Sequence, residues 1–137
     1  MLNKQKLNQL KQYFTTQPVD VVYLFGSQAE GKATGLSDVD LAVLFQPGLT
    51  KSKRFDLRLA YISKAAGILG KDRVDVVDLE QAPIALKFSA VYPHKEILVK
   101  NNQRRALFEA ETNSLYFDQK YFIKQNTLNS LASISRL

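Results

Sequence analysis

Residues 21–45 read VVYLFGSQAEGKATGLSDVDLAVLF. An apolar run from Val21 to Phe25 stops at Gly26-Ser27, ten residues follow, and Asp38-Val39-Asp40 opens a second apolar run from Leu41 to Phe45. Short apolar runs bounded by glycine and polar residues read as buried strands. Successive strand side chains point to opposite faces, so Asp38 and Asp40 point the same way. Two carboxylates on one face repel unless something positive lies between them, and a divalent metal is the usual answer because hard cations take carboxylate oxygens.

Outward from this stretch, strands and helices alternate. Residues 3–16 have helical spacing, with Leu7, Leu10 and Phe14 on one side, and Pro18 ends the helix. The first strand covers 20–25, a short helix starts at Ser27, and the glycine-bearing segment 31–37 is loop. The second strand covers 39–45, and its LAVLF run is apolar at both parities, as a central strand covered on both faces requires. A helix follows over 53–69, with Phe55, Leu59, Ile62, Ala66 and Leu69 as its apolar stripe, Ser52 as N-cap and Gly70 just past its end. The third strand is Arg73 to Leu79. Pro83 suits the first turn of another helix, with Ile84, Phe88 and Val91 on one side and Pro93 beyond it. Glu96 to Val99 is a short edge strand, and 103–125 the last strong helix. The expected fold is α/β (α+β), a sheet with helices packed against it. Residues 1–125 form one domain, and the Ser- and Asn-rich 126–137 read as a C-terminal tail, disordered or ordered by a partner.

Composition narrows the chemistry. With 137 residues and 45% apolar content the chain suits one soluble domain. It has no cysteine and a single histidine, His94, which excludes disulfides, thiolate zinc sites and multi-histidine metal sites. No apolar run approaches the ~20 residues needed to cross a bilayer, and the N-terminus lacks a signal-type apolar core, so the expected location is cytoplasmic. The net charge of +6 suits nucleic acid, nucleotide phosphates or an acidic partner, and equally an ordinary solvated surface.

The candidate site takes shape from three pieces. Gly26 lets backbone approach a ligand, and Ser27 at a helix start offers free N–H groups to phosphate, although an isolated Gly-Ser is usually an ordinary turn. Asp38 and Asp40 open a strand where acids are disfavoured; alone, Asp38 also suits a turn and Asp40 a solvent-facing strand end. Asp75 lies inside a β-branched run and needs a partner. If the third strand pairs beside the second, Asp75 joins the other two acids. Asp78 is its rival; it faces the other side of a regular strand and lies nearer the strand end, so Asp75 is preferred. Three carboxylates with phosphate-binding amides make a two-metal phosphoryl-transfer site, with ions about 3.5–4 Å apart.

Gly26-Ser27, ten residues, then Asp38-Val39-Asp40, with flanking strands and a later acid in a strand, resembles the signature of the DNA polymerase β nucleotidyltransferase superfamily. The small size resembles its minimal nucleotidyltransferase branch, the MntA-type antitoxins paired with HEPN toxins. Ala82-Pro83-Ile84, Phe108-Glu109-Ala110 and Tyr116 to Lys120 extend the likeness to about residues 19–122. The resemblance implies the polymerase-β-like fold, a small mixed sheet flanked by helices, and Mg²⁺-dependent transfer of AMP from ATP, with release of pyrophosphate. It implies that Gly26 and Ser27 hold the triphosphate, that Asp38 and Asp40 bind two Mg²⁺ ions, and that Asp75 is the third carboxylate and base. Many relatives carry an arginine shortly after the Gly-Ser; here Gln28 and Lys32 stand in the loop, and Lys32 is either a phosphate contact or a solvated lysine. The implied acceptor is a tyrosine of a cognate HEPN toxin, rather than nucleic acid or a membrane.

Two alternatives stand beside that reading: an antitoxin that neutralises by binding only, and a transferase acting on a small molecule such as an aminoglycoside. His94 reads as a surface turn residue. Tyr116, Phe117, Tyr121 and Phe122, with Lys120 and Lys124 between them, read as packing aromatics or as a protein interface.

Overall fold

The computed structural model describes residues 3–25, 39–92 and 95–135. The first helix, α1 (Lys4–Thr15), begins where the Asn3 side chain accepts from the Lys6 amide at 2.8 Å. Then come β1 (Val19–Phe25), β2 (Val39–Phe45), α2 (Lys51–Leu69), β3 (Val74–Asp78), α3 (Ile84–Val91), β4 (Lys95–Val99) and α4 (Asn102–Ser135). Among the described residues the strands form one sheet in the order β3-β2-β1-β4. β1 runs antiparallel to β2 and β4, and β2 runs parallel to β3. The sheet is therefore mixed, as expected, with β4 on one edge and β3 on the other.

Both faces are covered. Against α1 and α2 lie Val22, Leu24, Leu41, Val43, Phe45 and Val76, packed on Leu10, Phe14, Tyr61, Ala65 and Leu69. Against α3 and the start of α4 lie Val21, Tyr23, Phe25, Ala42 and Leu44, packed on Ala90, Val91 and Phe108. This double burial explains why β1 and β2 are apolar at both parities. Tyr61 is central to the first face: its ring meets Phe14 edge-on at 5.0 Å and stacks on Phe45 at 6.0 Å.

Two expectations about α2 are corrected. Its N-cap is Thr50, whose hydroxyl accepts from the Lys53 amide at 3.1 Å, and Ser52 lies inside the helix. Its inward face is Tyr61, Ala65 and Leu69, with Ile62 and Ala66 partly buried against the same core; of the expected stripe Phe55 and Leu59 fail, being 57% and 52% exposed. The reason is ionic: the same face carries Arg54 and Arg58, whose stems lie along β3 and whose guanidinium groups satisfy acids and a carbonyl there. Gly70 ends the helix at φ 63°, in the left-handed region that favours glycine.

α4 runs beyond the expected 103–125 and takes in residues to Ser135. Its N-terminal part is anchored by Arg104, which bonds Asp20 at 2.8 Å, the Phe45 carbonyl and Glu80. Burial alone would lower the Arg104 pKa; hydrogen bonds and charge from Asp20 and Glu80 outweigh it and raise the value. Farther along, Phe88 of α3 stacks on Tyr116 at 3.9 Å. Phe117, Tyr121, Phe122, Ile123, Leu128 and Leu131 are all at least half exposed. Among the described residues, no helix is long and apolar enough to cross a membrane.

Candidate active site

The parallel pairing of β2 with β3 sets the site. Asp40 and Asp75 are direct Cα partners in that ladder. Directly opposed residues share a face, so both side chains leave the sheet on the side of Ala42, Leu44 and Val77. Neighbouring strands lie about 4.8 Å apart, close enough for two carboxylates to turn oxygens onto one small cation. The donor chemistry, all carboxylate oxygen, fits a hard divalent ion such as Mg²⁺. On its other side Asp40 is the partner of Phe25, the last residue of β1.

Asp78 stands on the opposite face and is already neutralised. Arg54 Nε donates to its Oδ2 at 2.9 Å, and the Glu80 amide donates to its Oδ1 at 3.1 Å. Only 9% of the Asp78 side chain is exposed, against 45% for Asp75. Asp75 keeps looser company: its Oδ1 accepts from the Val76 amide at 2.9 Å and lies 3.7 Å from Arg58 Nη2. Of the two β3 acids, Asp75 alone shares a face with Asp40.

Gly26, Ser27, Lys32 and Asp38 lie outside the described residues, as do the short helix expected from Ser27, the loop 31–37 and His94. Among the described residues no group of three or more His, Cys, Asp or Glu is placed to hold a metal ion. Asp40 and Asp75 are the two expected acids within the described range. The expectation from sequence missed Arg54 and Arg58 entirely. A signal was present: Arg54, Arg58, Tyr61 and Ala65 recur at i, i+4, i+7 and i+11, a helical stripe as regular as the one chosen.

A parallel β-α-β unit with an acid pair across its two strands, and helices over both faces, fits a nucleotidyltransferase of the polymerase β type. The chain belongs to that family: the model described as Polymerase beta, Nucleotidyltransferase matches residues 8–103. Among curated proteins, the Protein adenylyltransferase MntA of Shewanella oneidensis is 36% identical over 98 residues, 72% of this chain and 66% of that protein's length. A crystal structure of a toxin-antitoxin with AMP-PNP is similar at TM-score 0.68 and 29% identity, covering 95% of this chain and 98% of the other. A structure of tri-AMPylated Shewanella oneidensis HEPN toxin in complex with MNT antitoxin is similar at TM-score 0.63 and 25% identity, covering 91% and 98%.

Proposed function

We propose that this chain is an MntA-type protein adenylyltransferase that silences a HEPN toxin by moving AMP from ATP onto one of its tyrosines. The single observation that carries the reading is the placement of Asp40 and Asp75 side by side on one face, with Asp78 committed to Arg54 on the other. Two like charges aligned across adjacent strands repel, and a bound cation would add to the relief that Arg58 already gives Asp75. The exposed apolar side chains along α4 support a protein as acceptor, since surfaces of that kind mark protein contacts. The relatives are a protein adenylyltransferase and chains of toxin-antitoxin complexes, one of them with an AMPylated HEPN toxin, which supports the same acceptor.

In this reading Gly26 and Ser27 hold the triphosphate, Lys32 contacts it, and Asp38, Asp40 and Asp75 hold two Mg²⁺ ions. The metal, when bound, supplies charge neutralisation at the transferring phosphoryl group. Asp75 orients the tyrosine hydroxyl and takes its proton. The tyrosine oxygen bonds to the α-phosphorus, the bond to the β-phosphate oxygen breaks, and pyrophosphate leaves in line. Residues 1–125 carry this chemistry, and the place of work is the cytoplasm, where ATP and the toxin meet.

The test is incubation with α-labelled ATP, Mg²⁺ and the cognate HEPN protein. Label on a toxin tyrosine is expected. A tight complex without label would leave an antitoxin that acts by occlusion, and label on an added aminoglycoside alone would make it a small-molecule transferase.

A further inference from the structure

We propose that Arg58 is the positioning residue for Asp75, holding one carboxylate oxygen so that the other faces the site. The proposal rests on the reading of Asp75 as the third carboxylate. β3 is an edge strand with β2 as its neighbour, so alternate peptide groups on its outer side meet no other strand. Val76 is such a residue, and both its backbone groups are used. Its N–H donates to Asp75 Oδ1 at 2.9 Å, and its carbonyl accepts from Arg58 Nε. The second arm of the same guanidinium, Nη2, stands 3.7 Å from Asp75 Oδ1. Carboxylate, peptide and guanidinium thus close a ring around Val76.

The consequence lies in which oxygen is occupied. Oδ1 takes both contacts, and Oδ2 has no hydrogen-bond partner among the described residues. A carboxylate left with one free oxygen and a fixed plane is oriented before any cation arrives. Outer contacts of this kind fix the ligands of metal sites, and their loss typically weakens metal binding ~10–100-fold. Arg58 reaches Asp75 from α2, which packs on the opposite face, by passing around the open edge. A lysine has the charge but not the rigid two-armed donor that spans a carbonyl and a carboxylate together.

An edge cap with no part in the site is the competing explanation, and the test separates them. Mn²⁺ binding to the full chain with α,β-methylene-ATP is followed by the EPR signal of free Mn²⁺, for wild type, Arg58→Gln, Arg58→Lys, Asp75→Asn and Arg58→Gln/Asp75→Asn, with melting curves alongside. The expected result is ~10–100-fold weaker binding in Arg58→Gln, an intermediate loss in Arg58→Lys, and no further loss when Arg58→Gln is added to Asp75→Asn. Wild-type binding by both Arg58 variants, with Asp75→Asn weakened, overturns the proposal while sparing the Asp75 assignment. Equal losses from Arg58→Gln with and without Asp75 also overturn it, because the effect then belongs to the edge. Unchanged binding in Asp75→Asn removes the assignment itself and the proposal with it.

Discussion

Asp75 and Asp78 are three residues apart on the same short strand, yet the two faces of the sheet treat them differently. Under α2, Asp78 is nearly buried and receives a direct bond from Arg54, which is itself tied to the Leu49 carbonyl at 2.9 Å. On the other face, Asp75 is half exposed, loosely paired and aligned with a second acid. A buried acid with a dedicated guanidinium is a fixed part of the frame, costly to disturb and closed to ligands. A half-exposed acid beside another acid gives the fold little and leaves oxygens free for chemistry. The difference teaches that burial and partner, rather than residue type, separate a carboxylate built into the frame from one left open on the same strand.

The contrast is breakable at several points. Asp40→Asn should show the largest effect: if Asp40 holds the metal as proposed, its loss costs several kcal/mol of transition-state stabilisation, on the order of 10³-fold in AMP transfer. Label-transfer rates check it, and a melting point close to wild type would show that the loss is chemical. Arg54→Met should invert that pattern. It strands Asp78 without its partner and should cost about 2–3 kcal/mol of stability in urea titration, with transfer per folded molecule unchanged. Tyr61→Phe should show the smallest effect, on the frame side alone. The Tyr61 hydroxyl is buried with no hydrogen-bond partner among the described residues, so its removal should be neutral or stabilising by up to about 1 kcal/mol at pH 7. Burial, with a smaller contribution from Tyr13, raises the Tyr61 pKa above its ordinary value of 10.0. A raised folded value means its contribution is complete below pH 10 and is lost as pH rises past it; Tyr61→Phe should therefore lose less stability than wild type on alkaline titration.

Much of this was legible in the chain. The apolar runs marked β1 and β2, the double parity of the second marked it as central, and the acid in the third run marked the residue that pairs with Asp40. The inward face of α2 was legible in its second half, through Ile62, Ala66 and Leu69, and not in its first. A hydrophobicity stripe favours Phe55 and Leu59, but long arginine stems bury while their charged ends reach acids, and that depends on where β3 lies. The extent of α4 was also hidden. Ser and Asn after 125 lower helix preference without forbidding a helix already nucleated upstream. The expected phosphate corner, Gly26 and Ser27, and the acid Asp38 lie outside the described residues, so their place beside Asp40 belongs to the proposal.

The most direct measurement sets Asp75→Asn against Asp78→Asn in one experiment, recording AMP transfer to the HEPN partner and thermal stability for each. The expected result is crossed: Asp75→Asn keeps its melting point and loses transfer, while Asp78→Asn loses stability and keeps most of its transfer per folded molecule. Full transfer by Asp75→Asn, with activity lost in Asp78→Asn at unchanged stability, would contradict the assignment and move the chemistry to the other face of the sheet.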